Sequence, residues 1–181
     1  MTAPSTRPLV PVPATGGYRI DPSRSGVTFA TRHLFGLGAV RGTFALREGS
    51  IGVTEPTEQS WARATVAVAS VDTGHPGRDR SIRSDRLLGT GTHPEITFVS
   101  DGLSCADGRW SLTGTLRVRD VPAPVRLLVD RITASGPDLH VRAVARVDRH
   151  AFGITRYRGV AARHLDVRLD VVATRMRVTG S

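Results

Sequence analysis

Histidine, cysteine and serine are the side chains most able to bind a metal or to act as nucleophiles, and this sequence places them without a recognisable motif. Its six histidines form no HxH or HExxH arrangement. The single cysteine, Cys105, lies in a predicted turn, and the GxSxG motif of serine hydrolases is absent. The sequence therefore predicts neither a metal site nor a cofactor, and it contains no catalytic motif that we recognise.

Arginine is the other residue type that could do chemistry. All 25 basic residues are arginine, against 16 acidic residues, so the formal net charge is +9. Such a charge is typical of proteins that bind nucleic acids or anionic membranes. Several arginines cluster between residues 78 and 86, where guanidinium groups match the geometry of phosphate or carboxylate head groups. Asp79 and Asp85 interleave with them, which is equally typical of a solvated, salt-bridged face.

The elements that must position these side chains are strands. Apolar and polar residues alternate with period two, as in Trp110–Val118, where one parity is apolar or small and the other is polar. The same parity argument turns His33 towards the interior with Val27 and Phe29. This alternation predicts eight strands, at 27–33, 40–46, 62–70, 96–100, 110–118, 125–132, 139–147 and 165–171.

Eight half-buried strands must cover their apolar faces, either with a second sheet or by closing into a barrel. Turns are predicted at Glu48-Gly49, Asp101-Gly102 and Asp107-Gly108. One helix of about two turns is predicted over Asp79–Leu88, in the long connection before the strand at 96–100. A helix in that place is suited to cap one end of a barrel.

The length and the two termini fix the domain organisation that we expect. A chain of 181 residues is enough for one domain. Residues 1–16 are rich in proline and predict a flexible arm, followed by a single domain over residues 17–179. The first residues lack the apolar run of a secretory signal, so we expect a cytoplasmic protein. No apolar stretch approaches the length of a membrane-spanning helix, so we expect no stable insertion into a membrane.

Short motifs follow one another along the chain in a characteristic order. They include Tyr18–Phe29, Val40–Phe44, Ser70–Thr73, His93–Ser100 and Arg149–Ile154. Together, over about residues 18–178, their order and spacing resemble those of the YceI-like proteins, a lipocalin-like family that binds polyisoprenoid lipids. The resemblance implies an all-β fold, an eight-stranded antiparallel barrel with one short helix between two strands. It also implies an elongated apolar pocket for a polyisoprenoid, an isoprenoid quinone or another long-chain lipid.

Residues with inward parity, together with two arginines for the head group, form the predicted binding site. An apolar wall of this kind holds each buried methylene of a lipid by roughly 0.8 kcal/mol, without any catalytic group. The predicted ligand-binding residues are Phe29, His33, Phe44, Arg83, Phe98, Trp110, Leu112, Leu116, Val141, Arg149 and Leu169. The leading hypothesis is thus a non-enzymatic protein that binds, stores or transports an isoprenoid or similar amphipathic lipid.

Two other functions stay open on the sequence. An enzyme of the cyclase or isomerase type could use the same pocket, with His33 as general base and Arg149 as a contact for a developing anion. A binder of nucleic acid or of an anionic surface requires a contiguous arginine stripe. Only 5% of residues are aromatic, and four of them, Phe29, Phe44, Phe98 and Trp110, lie on apolar strand faces, so we expect no nucleic-acid partner. An exposed strand edge leaves a homodimer open.

Overall fold

The computed structural model describes residues 11–33, 38–156 and 162–177, and for Arg32 and His33 it describes the backbone only. Within these ranges the chain forms ten β strands, one α-helix and four short 3₁₀ helices. The strands are β1 (Gly16–Ile20), β2 (Gly26–His33), β3 (Gly38–Phe44), β4 (Leu46–Val53), β5 (Trp61–Ala67), β6 (Glu95–Ala106), β7 (Arg109–Val118), β8 (Val121–Ser135), β9 (Asp138–Asp148) and β10 (His164–Arg175). The helix α1 spans Pro76–Arg83. Residues 1–10, most of the predicted arm, lie outside the described ranges.

The strands close into an eight-stranded antiparallel barrel. β4, β5, β6, β7, β8, β9 and β10 follow one another, and β1 closes the ring by pairing with both β4 and β10. The hairpin of β2 and β3 continues the same sheet, because β2 pairs with β10 beside the segment that pairs with β1. In effect β1 with β2, and β3 with β4, are two long strands that each bend once. The predicted all-β barrel is confirmed.

Local sequence explains the first of these bends. Pro22 follows Asp21, whose carboxylate accepts hydrogen bonds from the backbone and the hydroxyl of Ser23, and a 3₁₀ helix, Pro22–Arg24, interrupts the strand. At the second bend, the Ala45 N–H leaves the ladder and donates to the Ser70 Oγ at 2.8 Å. Both bends are therefore stabilised by side chains that replace ladder hydrogen bonds.

Two predicted turns are wrong. Glu48-Gly49 lies within β4 and Asp101-Gly102 within β6, and in each strand the register shifts by a β-bulge at this place. Glycine is required at position 49 for packing rather than for a turn, because a Cβ there would lie 2.6 Å from the Cδ1 atom of Ile20. The Asp107-Gly108 turn is confirmed between β6 and β7, with both residues at positive φ.

The helix begins and ends earlier than predicted. The His75 Nδ1 accepts the Arg78 N–H at 3.2 Å, and Pro76 occupies the first turn, so the helix starts before Asp79. It ends at Arg83, after which residues 84–88 form turns and the Gly89 N–H returns to the Ser84 carbonyl at 2.9 Å. As predicted, the helix belongs to the long connection between two strands, here β5 and β6.

The core fills the middle of the barrel and one of its ends. Ile20, Leu46, Leu139 and Ala173 belong to a central cluster whose buried members are at most 8% exposed. A second cluster, around Val118, Ala123, Phe152 and Ile154, lies where the barrel meets the connections that cover it. No helix within the described residues is long and apolar enough to span a bilayer.

Candidate functional site

Two cavities lie inside the barrel among the described residues, one towards each end. The larger, which we call the upper cavity, has a volume of about 190 Å³. Among the described residues that form its wall, Arg149 is the only polar one. The wall consists of Val27, Phe29, Phe44, Leu46, Ala64, Val66, Leu88, Ile96, Phe98, Leu116, Val118, Val125, Leu127, Ala145, Val147, Arg149, Phe152, Ile154, Leu165, Val167 and Leu169.

Small residues allow the aromatic rings of this wall to lie against the sheet. A Cβ on Gly42 would lie 2.5 Å from the Phe29 ring, and one on Gly114 would lie 2.7 Å from the Phe98 ring. Phe29 also packs against Phe44, with ring centroids 5.3 Å apart. Each glycine therefore lets a ring fold flat, and the space left in the barrel is lined by ring faces and aliphatic groups.

Arg149 holds together, by hydrogen bonds, the chain segments that close the upper end of the barrel. It lies in the 3₁₀ helix Arg149–Phe152 and is 9% exposed. Its Nε donates to the Ala162 carbonyl at 2.9 Å, and its Nη1 donates to the carbonyls of Ile154 and Arg156 at 2.8 and 2.6 Å. A buried guanidinium needs such hydrogen bonds, because burial without them is costly. Arg149 thus presents a fixed positive charge at the wall of an otherwise apolar cavity.

The second, lower cavity has a volume of about 100 Å³ and lies at the end where β1 and β4 pair. Trp110, Leu112, Leu139 and Val141 form part of its wall, all with inward parity. The segment that precedes β1 covers it, since Val12 and Pro13 belong to the same wall. That segment is held by the Tyr18 hydroxyl, which donates to the Ala14 carbonyl at 2.7 Å, and by Arg175, which donates to the Thr15 carbonyl.

Nine of the eleven predicted binding residues line these two cavities. Those in the upper cavity are Phe29, Phe44, Phe98, Leu116, Arg149 and Leu169. Those in the lower cavity are Trp110, Leu112 and Val141. His33 lies in β2, but its side chain is outside the described part of the structure. Whether any of these residues binds a ligand stays a prediction.

Arg83 lies on neither cavity wall. Its Nε and Nη2 donate to the carbonyls of Ala69 and Val71, at 3.0 and 2.6 Å, so the side chain fastens α1 to the preceding segment. Arg78 and Asp79 do the same through Thr73. Asp79 is 7% exposed, and the hydrogen bonds from Thr73 hold its pKa below the usual value. Arg78 and Arg83 of this cluster thus have a structural use, which the sequence alone did not distinguish from head-group binding.

Several wall residues were missed by the sequence analysis. Leu88, Phe152 and Ile154 close the upper cavity from connections, and Val12 closes the lower one from the predicted arm. Residues in connections do not alternate between apolar and polar, so the period-two pattern cannot predict whether their side chains face the interior or the solvent. What these residues share in the sequence is that most of them are apolar and stand next to a glycine or a proline, as in Leu88-Gly89 and Phe152-Gly153.

A concavity larger than either cavity lies outside the barrel. It is an open trough of about 970 Å³ across the outer faces of β3, β2, β10, β9 and β8. Four exposed arginines border it, together with Asp166, and none of the four forms an ion pair with a described residue. They are Arg41, Arg126, Arg146 and Arg168. In their strands these arginines alternate with residues that face the interior, but nothing in the sequence indicates that they surround one trough.

The described residues contain no group of three or more His, Cys, Asp or Glu side chains that could hold a metal ion. Comparison with known proteins then defines the family. A model of the YceI-like domain matches residues 18–175. The chain belongs to the YceI-like family.

Relatives of this YceI-like chain include bacterial proteins of similar length. It is 30% identical over 157 residues to a UPF0312 protein of Azotobacter vinelandii, a match that covers 82% of this chain and 81% of the relative. It is 28% identical over 163 residues to Protein YceI of Escherichia coli O157:H7, with 85% and 84% covered.

Solved structures share the YceI-like barrel. BcnA of Burkholderia cenocepacia superposes with a TM-score of 0.74 at 23% identity, over 86% of this chain and 99% of that one. A polyisoprenoid binding domain from Saccharophagus degradans, implicated in plant cell wall breakdown, superposes with a TM-score of 0.63 at 16% identity. That match covers 90% of this chain and 100% of the domain. At these identities the likeness establishes the fold.

Proposed function

We propose that this protein binds the hydrocarbon chain of an isoprenoid or similar amphipathic lipid in the barrel, without catalysis, and so stores or carries it. The observation that carries the proposal is the upper cavity, whose described wall is apolar except for Arg149. Each buried methylene contributes roughly 0.8 kcal/mol, so burial alone can supply the affinity. Membership of the YceI-like family and the fold shared with a polyisoprenoid binding domain support this function.

Arg149 sets the chemistry proposed for the polar end of the ligand. Its guanidinium is fixed by backbone carbonyls, so it places a positive charge at the wall, which suits an anionic group such as a phosphate or a carboxylate. The described wall offers no general base, so the isomerase-type alternative depends on His33, whose side chain is outside the described part. We therefore retain binding as the proposed function.

The cavity volume limits how much of a chain is held. At roughly 30 Å³ for a group the size of a water molecule, about 190 Å³ accommodates about six such groups, close to one five-carbon isoprene unit. A longer prenyl chain must therefore either part the side chains of the wall or extend beyond the cavity. Affinity should rise with chain length only as long as added units stay buried.

A pair of alanines provides a matched test. Ala145 lines the upper cavity and Ala62 the lower one. We expect Ala145→Phe to fill the upper cavity and weaken binding of a C10 prenyl alcohol by about tenfold or more, the loss of two buried methylenes. Ala62→Phe should change it much less. Thermal shift and native mass spectrometry with C5 to C20 prenyl alcohols report the binding.

Overpacking can itself destabilise the barrel, so Ala145→Leu serves as a milder variant and unfolding of each ligand-free variant is measured. The proposal is wrong if no prenyl alcohol shifts the melting temperature of the wild-type protein. It is also wrong if Ala145→Phe and Ala62→Phe both fold and bind as the wild type does.

A further inference from the structure

Four large apolar side chains are exposed on the outer surface towards the lower end of the barrel, and Val99 is the farthest from that end, since its neighbour Phe98 lines the upper cavity. Val12, Trp61, Val99 and Met176 are 42%, 40%, 57% and 40% exposed. Single exposed apolar residues are ordinary on protein surfaces, whereas a group of them indicates contact with an apolar partner or a membrane. Two of the four, Val12 and Trp61, also line the lower cavity, which therefore meets the surface between them. We call these four residues the lower rim.

The strand register places two of these side chains in one row on the outer face. The Met176 N–H donates to the Gly17 carbonyl at 2.8 Å, Gly17 pairs with Gly52, and Gly52 pairs with Trp61. The Met176 methyl lies 2.5 Å from the position of a Cβ on Gly17, and the Trp61 ring lies over Gly52. Two adjacent glycines thus let Met176 and Trp61 lie flat, and the result is a shallow apolar surface.

Arginines adjoin this surface. The Arg63 guanidinium lies 5.7 Å from the Trp61 ring centroid and donates to the Ser50 Oγ at 2.8 Å, and Arg63 pairs with Val99 in the register. Arg19, also exposed, pairs with Ser50 on the other side. Tryptophan beside arginine suits the head-group layer of a bilayer, where apolar stems are buried and polar tips stay in water.

Acidic residues occur at this end too. Glu55 and Glu58, in the connection between β4 and β5, are exposed, as is Asp101. A preference for anionic lipids therefore depends more on the net charge of +9, which attracts the whole protein to a negative surface, than on the lower rim itself. The same net charge disfavours a second copy of this chain as the occupant, because the two molecules repel each other.

We propose that the lower rim is a docking surface for an anionic lipid bilayer. The inference rests on the proposed function, since a protein that carries a lipid must exchange it with a membrane. Docking through Val12 and Trp61 places the mouth of the lower cavity against the acyl chains. The protein lies on the bilayer without spanning it, held by apolar contacts at the rim and by its overall charge.

Vesicle binding of the full-length protein tests the docking surface. Vesicles of phosphatidylcholine, with and without phosphatidylglycerol, are compared by flotation and by tryptophan fluorescence. Trp61 is exposed and Trp110 is 6% exposed, so a blue shift on binding reports Trp61. We expect the double variant Val12→Ser with Met176→Ser to weaken binding by about tenfold or more, because two apolar side chains leave the bilayer.

The matched control is Val121→Ser with Leu128→Ser, which changes two exposed apolar residues of β8 away from the rim and should alter binding by less than about twofold. Trp61→Ser is a second rim variant, read by flotation. The proposal is overturned if the wild type binds neither kind of vesicle, or if the rim variants bind as tightly as the control. It is also overturned if Arg126→Ser with Arg146→Ser, in the outer trough, abolishes binding while the rim variants retain it.

Prenyl-alcohol binding in vesicle-free buffer separates this proposal from the proposed function. Rim variants should keep the thermal shift caused by the alcohol, because their substitutions leave the upper cavity unchanged. Vesicle binding without any prenyl binding would refute the proposed function and leave docking intact. Prenyl binding without vesicle binding would refute docking alone.

Discussion

The two ends of the barrel are closed in different ways. At the upper end, the connections 84–94 and 149–154 cover the cavity, and Leu87, Leu88 and Phe152 pack against the ends of β7 and β8. Arg149 fixes this cover through three backbone carbonyls. At the lower end, a short stretch around Val12 and Pro13 covers the cavity, and its apolar side chains are partly in water.

The difference shows what each end is suited to do. A cover fastened by a buried guanidinium opens only when several charged hydrogen bonds break together, so the upper end suits the fixed polar end of a ligand. A cover whose apolar side chains are already partly in water is stabilised when those side chains move into an apolar medium such as a bilayer. The lower end is therefore suited to exchange, and the upper end to retention.

The largest loss of stability is expected from Trp110→Ala, which tests whether the lower end is tightly packed everywhere except at its rim. Trp110 is 6% exposed inside the lower cavity, and removing a buried tryptophan costs about 3–5 kcal/mol of unfolding free energy. Trp61→Ala, at the rim of the same cavity, should cost about 1 kcal/mol, since the ring is 40% exposed. Urea unfolding measures both. Equal losses of unfolding free energy in the two variants would contradict the view that the interior of the lower end is tightly packed and its rim is not.

The second effect is expected at the upper end. Arg149→Met keeps the length of the side chain but removes the donors to three carbonyls, and each buried acceptor left unsatisfied costs about 1–3 kcal/mol. We expect a loss of about 3 kcal/mol, because water reaches some of these groups. Arg126→Met, on the exposed outer face, is the control and should stay within about 0.5 kcal/mol. An Arg149→Met protein as stable as this control would show that the upper cover does not depend on the guanidinium.

The parts of the fold that the sequence predicts are the strands with an unbroken alternation. β7, β9 and β10 bury one parity along most of their length, so their apolar residues repeat every second position. β1 and β4 were not predicted, because Gly16, Gly17, Gly49 and Gly52 remove the side chains that would show the alternation. Gly49, Gly52 and Gly17 are present for close packing with Ile20, Trp61 and Met176 respectively, which depends on neighbouring strands and cannot be deduced from local sequence.

In the candidate site, too, the residues that can be predicted are those on strands with an unbroken alternation. Phe29, Phe98 and Leu116 were placed inside by parity, and they line the upper cavity. Arg83 and Arg149 looked equally suitable for a head group, because both are arginines in or beside connections. Only the three-dimensional arrangement shows that Arg83 donates to Ala69 and Val71 while Arg149 reaches the cavity wall.

The smallest effect is the response to acid, where Asp148 at the upper end and Asp21 in the bend between β1 and β2 should behave alike. Asp148, at the upper end, has its pKa lowered to about 2 by the hydrogen bond from Arg163, and Asp21 has its pKa lowered to about 2 by Ser23 and Arg24. Their ordinary value is 3.8. Between pH 3.8 and about 2 the unfolded chain therefore binds more protons than the folded protein, so the stability present above this window is lost as the pH falls through it.

Thermal melting between about pH 5 and 2, at low and high salt, measures this loss. Asp148→Asn and Asp21→Asn should each melt somewhat lower than the wild type at neutral pH and show a shallower fall in acid, because each lacks one of the carboxylates that must be protonated. The differences should be small and should shrink in salt, since exposed ion pairs contribute little to stability and are screened by salt. If one of these variants alone removed the whole acid response, the other carboxylate would contribute nothing to it.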